Sequence, residues 1–75
     1  MPSEAAKALF ASIPDDEPVF IVRGTDKLAT PVVEKWIAEA QIVSVPQARI
    51  QETIDTLVEI SRFQGFNPGR VKYPA

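Results

Sequence analysis

The stretch TPVVEKWIAEAQIVSVPQARIQETIDTLVEISRFQ, residues 30–64, decides the fold, because its apolar residues recur at helical spacing along most of its length. Its first part predicts a helix over residues 31–42, with Thr30 as the N-cap and Pro31 at the first helical position. The apolar face of that helix comprises Val32, Val33, Trp36, Ile37 and Ala40. The opposite face is charged and polar, so the helix is expected to bury one side.

The rest of the stretch predicts a longer helix over residues 45–64. Ser44 can cap its start, Gln47 completes a capping box three residues later, and Gly65 is placed to end it. Its apolar residues form two stripes, with Ile50, Ile54, Leu57 and Val58 in one and Ile60 and Phe63 in the other. Two stripes indicate burial against both the chain itself and a partner subunit. The predicted interface comprises Trp36, Ile60 and Phe63. For Trp36 and Phe63, burial in the core of the same chain is the alternative.

Outside this stretch, prolines divide the chain into shorter units. Residues 3–13 predict a short helix, with Ser3 as its N-cap, that stops before Pro14. Residues 19–23, VFIVR, are mostly β-branched or aromatic and favour a short strand, although a buried helical turn stays open. Residues 65–75 form a tail. The strand's partner would be either this tail or the same strand of a second subunit, since a lone strand leaves its backbone groups unpaired.

These patterns predict a single small domain, residues 1–75, that is mainly α, with about three helices and one or two short strands; an α+β fold is the open alternative. A chain of 75 residues buries only roughly 60% of its unfolded surface and is marginal alone. Without cysteine or histidine it lacks disulfides and the common zinc and haem ligands. Self-association is then the most economical source of further core, so we expect a homo-oligomer.

Charge and hydropathy exclude two classes of partner. The net charge of −2 disfavours the coating of extended nucleic acid. No apolar run approaches the roughly 18 residues that span a bilayer, and the first ten residues do not have the pattern of a signal peptide. We therefore expect a cytoplasmic protein that binds neither membrane nor extended nucleic acid.

Catalytic signatures do not occur in the sequence. There is no histidine to activate a serine or threonine, and no glycine-rich phosphate loop. Asp15, Asp16 and Glu17 are adjacent and could hold a hard cation, but they lack the ligand spacing and mid-loop glycine of calcium loops. A solvated acidic loop is the favoured interpretation. The sequence predicts a non-enzymatic protein without a metal or cofactor.

Basic and aromatic residues instead indicate a ligand site. Arg23 follows an apolar run and precedes a glycine, and Asp26 either clips it to the turn or orients it toward a ligand. After Glu59 the chain has no acidic residue, and basic groups are interleaved with aromatic rings. Basic donors can neutralise phosphates while a ring stacks on a base, although this tail could also only pack. The predicted ligand-binding residues are Phe20, Arg23, Asp26, Arg70, Lys72 and Tyr73, with Phe20 or Tyr73 as the stacking ring.

The stretch EPVFIVRGTDKLATPVVEKW, residues 17–36, resembles small uncharacterised phage and bacterial proteins that share E-P-V-F, aliphatic residues, R-x-x-D and a tryptophan-bearing helix. The matching positions are Glu17, Pro18, Val19, Phe20, Arg23, Asp26 and Trp36. A looser likeness, in size, lack of catalytic residues and arginine–aromatic pairing, is to phage sponge proteins. Those oligomers sequester nucleotide immune signals such as cyclic dinucleotides or cyclic ADP-ribose derivatives. The likeness implies an anionic nucleotide-like ligand held between subunits.

The competing interpretation is a protein–protein interaction module, such as a phage accessory or inhibitor protein that acts on a host protein. It would use an exposed apolar face, for which Ile60 and Phe63 are the candidates.

Overall fold

The computed structural model describes residues 4–74, apart from the side chains of residues 5 and 6, and within them it has three α-helices and no β-sheet. The helices are α1 (Glu4–Ser12), α2 (Ala29–Ile42) and α3 (Gln47–Phe66), and a 3₁₀ turn follows over Pro68–Arg70. The predicted class, a small mainly α fold with about three helices, is confirmed. None of the helices described is both long and apolar enough to cross a membrane.

Packing between α2 and α3 forms the core. Only the residues 43–46 separate the two helices, and helices joined by so short a loop pack side by side as a hairpin. The buried apolar residues are Ala29 and Ala40 of α2 and Ile50 of α3. Half-buried residues from both helices surround them, namely Val33, Ile37, Ile54, Leu57 and Ile60. Among the described residues, α1 packs on neither of these helices, so the hairpin is the organising unit.

The start of α2 differs from the sequence-based prediction. The helix begins at Ala29 instead of Pro31, and Thr30 lies inside it and is not the N-cap. Asp26 sets this earlier start, because its Oδ1 accepts a hydrogen bond from the Leu28 N–H at 2.8 Å and its carbonyl accepts one from the Ala29 N–H at 3.0 Å. A turn that an aspartate side chain closes in this way directs the chain into the helix.

Ser44 ends α2 and is not the predicted N-cap of α3. Its backbone φ is 60°, in the left-handed region. The Val45 N–H donates to the Ala40 carbonyl at 3.0 Å and the Ser44 N–H to the Gln41 carbonyl at 3.4 Å. This pair of bonds is a Schellman motif, which satisfies the last carbonyls of α2 and reverses the chain. The next helix begins at Gln47, two residues later than predicted.

The end of α3 also lies beyond its predicted position. The helix continues through Gly65 to Phe66, because Asn67 closes it. Both the backbone N–H and the side-chain Nδ2 of Asn67 donate to the carbonyl oxygen of Phe63, each at 2.9 Å. At the other end of the chain, α1 agrees with the helix predicted over residues 3–13 within one residue at each end. The predicted N-cap Ser3 lies outside the described residues.

The short strand predicted for residues 19–23 is wrong, and so is the alternative of a helical turn. These residues belong to neither a helix nor a sheet. The tail pairs instead with the loop that follows them, through an isolated parallel bridge between Asp26 and Lys72. The tail's hydrogen bonds are therefore made with residues 25–27, which leaves residues 19–23 without a partner strand in their own chain.

Replacement of Ser44 by glycine is expected to raise the free energy of unfolding by about 0.5–1 kcal/mol, because glycine adopts a positive φ without the steric cost of a Cβ. The matched control is Ser61→Gly, at an exposed position inside α3, which should lower that free energy by about as much. Urea unfolding followed by circular dichroism measures both changes. Destabilisation by both glycines would contradict the role given to Ser44.

Candidate functional site

One side chain ties the loop of residues 24–27 to the end of α3. The Nε2 of Gln64 donates to the carbonyl oxygen of Gly24 at 3.2 Å and to that of Asp26 at 2.9 Å. The ring of Phe63 lies against Gly24, where a Cβ would come within 3.2 Å of it. The loop therefore approaches α3 so closely because residue 24 is a glycine.

The tail then lies beside this loop. After the 3₁₀ turn over Pro68–Arg70 the chain runs back, and the Lys72 N–H donates to the Thr25 carbonyl at 2.9 Å. In return the Lys27 N–H donates to the Lys72 carbonyl at 3.0 Å. Loop and tail thus form one unit, whose side chains meet although they are far apart in the sequence.

A cleft of about 350 Å³ opens between the loop and the tail. We call it the basic cleft, and its lining comprises Ile21, Arg23, Thr25, Asp26, Arg70, Lys72, Tyr73 and Pro74. Five of the six residues predicted to bind a ligand therefore lie around one opening. Ile21, Thr25 and Pro74 were not predicted, although the alternation of side chains along residues 19–23 could have grouped Ile21 with Arg23.

Phe20 is the predicted ligand-binding residue that lies elsewhere. It is 79% exposed and borders a separate opening of about 340 Å³. We call this opening the apolar groove, and its lining comprises Phe20, Val22, Val32, Val33, Trp36, Arg49 and Thr53. Of the two candidate stacking rings, only that of Tyr73 borders the basic cleft.

Among residues 4–74, no carboxylate lies within ion-pair distance of the cations of the basic cleft. Ion pairs between described residues join Lys7 to Glu4, Lys35 to Glu39 and Arg49 to Glu52. None of these pairs includes Arg23, Arg70 or Lys72. The alternative of an Arg23–Asp26 ion pair that holds the turn is therefore wrong. The Asp26 carboxylate accepts from the Leu28 N–H instead. Three positive charges therefore face the cleft together with the single carboxylate of Asp26, and none of the three forms an ion pair with a described residue.

Two cation–π contacts position side chains at the edge of the cleft. The guanidinium carbon of Arg70 lies 4.9 Å from the ring centroid of Phe63, and the Nζ of Lys27 lies 5.1 Å from that of Tyr73. Each contact holds a cation against the negative face of a ring. Tyr73 is 67% exposed, so much of its side chain is accessible at the edge of the cleft.

The predicted interface residues are found on different surfaces. Trp36 is 42% exposed in the apolar groove and is not a core residue. Ile60 and Phe63 are half-buried, and the Phe63 ring contacts Gly24 and Arg70 of its own chain. Of the three predicted interface residues, Trp36 is therefore the one with an exposed apolar side chain.

The chemistry of the basic cleft suits the binding of an anion that carries a planar group. Within residues 4–74 no cluster of three acidic, histidine or cysteine side chains could hold a metal ion.

Comparison of the chain with protein-family models, with curated proteins and with solved structures found no match.

Gln64→Glu is expected to lower the free energy of unfolding by about 1–3 kcal/mol, because a carboxylate cannot donate to the two loop carbonyls and repels them. Gln64→Ala loses the same bonds without adding a charge, so its loss should be smaller. Gln41→Glu, at an exposed position on α2, is the control and should change stability by less than about 0.5 kcal/mol. Urea unfolding measures all three, and a Gln64→Glu protein as stable as the wild type would contradict the proposed tie.

Proposed function

We propose that this protein is a non-enzymatic binding protein that holds an anionic, nucleotide-like ligand in the basic cleft. The observation that carries the proposal is the convergence of Arg23, Arg70 and Lys72 on one opening, where none of them forms an ion pair with a residue that the structure describes. Unpaired cations that lie together repel one another, so an anion that binds among them relieves that repulsion as well as gaining hydrogen bonds.

The types of side chain favour a phosphate over a simple anion. An arginine offers a planar set of five N–H donors that matches phosphate oxygens in two-point contact, and a lysine adds a mobile point charge. The exposed ring of Tyr73 can stack with a base. The second carboxylate oxygen of Asp26 can accept from a ribose hydroxyl while Oδ1 is occupied by the Leu28 N–H.

The shape of the cleft supports a site that is shared between subunits. Its volume of about 350 Å³ is at the lower end of the roughly 300–1,000 Å³ typical of small-molecule pockets, and it is open to solvent. A second copy of the chain across the opening would enclose a ligand more completely. The finer form of the proposal is a homo-oligomeric phage-type sponge that sequesters a cyclic dinucleotide or a cyclic ADP-ribose derivative in the host cytoplasm.

Isothermal titration calorimetry with cyclic dinucleotides, cyclic ADP-ribose and ATP tests this function directly. We expect binding of at least one of them by the wild type. Arg23→Gln and Lys72→Gln should each weaken it by about 10- to 100-fold, the effect of losing a hydrogen bond to a charged group. The matched control is Arg62→Gln, an exposed arginine of α3 that does not line the cleft. No heat with any nucleotide, or equal losses in all three variants, would overturn the proposal.

The fate of the bound nucleotide distinguishes a sponge from a hydrolase. Ligand recovered after heat denaturation of the complex is expected to be intact by mass spectrometry. Recovery of a hydrolysed product that the Arg62→Gln protein also forms would show that the protein is an enzyme.

The apolar groove favours one alternative function, a protein-interaction module of the kind that inhibits a host protein. Phe20, Val32 and Trp36 are all at least two-fifths exposed there, and contiguous exposed apolar surface marks interaction sites. This alternative predicts one specific protein partner in a pull-down from a bacterial host lysate and no nucleotide binding. Trp36→Ala should lose that partner, whereas Ile42→Ala, at an exposed apolar residue outside the groove, should keep it.

A further inference from the structure

Residues 19–23 have backbone groups that no part of the described chain uses. In the hydrogen bonds of residues 4–74, none of the N–H groups from Val19 to Arg23 donates and none of the carbonyls from Val19 to Val22 accepts. The Arg23 carbonyl is the first in the segment to accept, from the Asp26 N–H at 3.0 Å. The segment therefore offers a row of unpaired donors and acceptors, as the edge strand of a sheet does.

The side chains of this segment alternate between two faces. Ile21 and Arg23 line the basic cleft, and Val19 and Ile21 line a third opening beside the end of α1. Phe20 and Val22 line the apolar groove. Alternation with a period of two is the geometry of an extended chain, so the segment already has the form of a strand without being part of a sheet.

The surface of the chain is also larger than that of a compact monomer. Its accessible area is 6121 Å², whereas a folded monomer of 8.3 kDa has about 4,600 Å². Its radius of gyration is 13.6 Å, compared with about 11 Å for a compact domain of this length. Part of the excess of about 1,500 Å² belongs to α1, which packs on neither helix of the hairpin among the described residues, and the exposed side chains of Val19, Phe20 and Ile21 also contribute to it.

We propose that residues 19–23 pair with the same residues of a second copy in an antiparallel two-stranded ladder about a two-fold axis. The pairing rests on the homo-oligomer of the proposed function and identifies its interface. Closed two-fold dimers are the commonest symmetric assemblies, and their two equivalent strands run antiparallel. The bonds of the ladder use the unpaired N–H and carbonyl groups, and the β-branched and aromatic side chains of the segment suit a strand.

The charges at the two ends of the segment also favour the antiparallel direction. Glu17 lies just before it and Arg23 ends it. In an antiparallel pair each arginine faces the acidic end of the other copy, whereas a parallel pair would align like charges. The ladder also brings the second copy beside Arg23 and so beside the basic cleft. Arg23 has enough N–H donors to contact both a carboxylate of that copy and a bound anion.

The test is the mass of the full chain in solution without any ligand, measured by sedimentation equilibrium over a wide concentration range. The wild type is expected at twice its 8.3 kDa chain mass. Alternate residues of an antiparallel pair direct their N–H groups to the partner, so proline at either Phe20 or Ile21 removes a bond of the ladder. At whichever of these two residues directs its N–H to the partner, the proline variant should have a dimer dissociation constant at least tenfold higher than that of the alanine variant.

Two controls separate a ladder from general damage. Asp16→Pro, in the exposed loop before the segment, and Ile42→Lys, at a side chain 73% exposed on α2, should remain dimeric. Circular dichroism checks that the proline variants keep their helices. A wild type that stays monomeric at every concentration, or alanine and proline variants with equal dissociation constants at both positions, would overturn the ladder. A monomer that still binds a nucleotide would overturn the ladder alone, and a dimer that binds none would overturn the ligand proposal alone.

Discussion

The two hydrogen bonds from the Gln64 side chain to the carbonyls of Gly24 and Asp26 set the position on which the basic cleft depends. The amide is partly buried, where a hydrogen bond competes less with water and is stronger than at an exposed position. Once the loop is fixed on α3, Asp26 can direct the chain into α2, and Thr25 and Lys27 can receive the tail. The loop is thus linked to both helices of the hairpin.

The cleft is organised by backbone hydrogen bonds and ring contacts and not by ion pairs. Its cations are placed because Lys72 is held through its own N–H and carbonyl, and Arg70 through the ring of Phe63. Charges that are held in this way keep their electrostatic attraction for an external anion, because the three cations outnumber the one carboxylate of the cleft, that of Asp26, and none forms an ion pair with a described residue. Mutual repulsion of these cations is expected to lower the free energy of unfolding. Because the hairpin core is small, that free energy is small to begin with.

The sequence predicts the helices well because their apolar spacing is strong, but it does not predict their ends. Thr30 and Ser44 have the side chains of N-caps, yet the turn closed by the Asp26 side chain sets the start of α2, and Ser44 lies in the left-handed turn after α2. The clustering of Arg23 with Lys72 follows from a bridge between distant residues, which no local pattern encodes. The sequence does predict the chemistry of the site, because arginine and lysine are residue types that bind anions and a tyrosine ring can stack with a planar group.

Within residues 4–74, the tail is joined to the loop by two backbone hydrogen bonds at one bridge and by the contact of Tyr73 with Lys27, while α2 and α3 pack on each other without it. Regions with so few contacts detach by local opening at a small fraction of the free energy of global unfolding. Half of the cleft, including Lys72 and Tyr73, therefore departs whenever the tail detaches. For the proposed ligand, the apparent affinity would scale with the fraction of molecules in which the tail is docked. A ligand that contacts both halves of the cleft would in turn shift the tail toward the docked state.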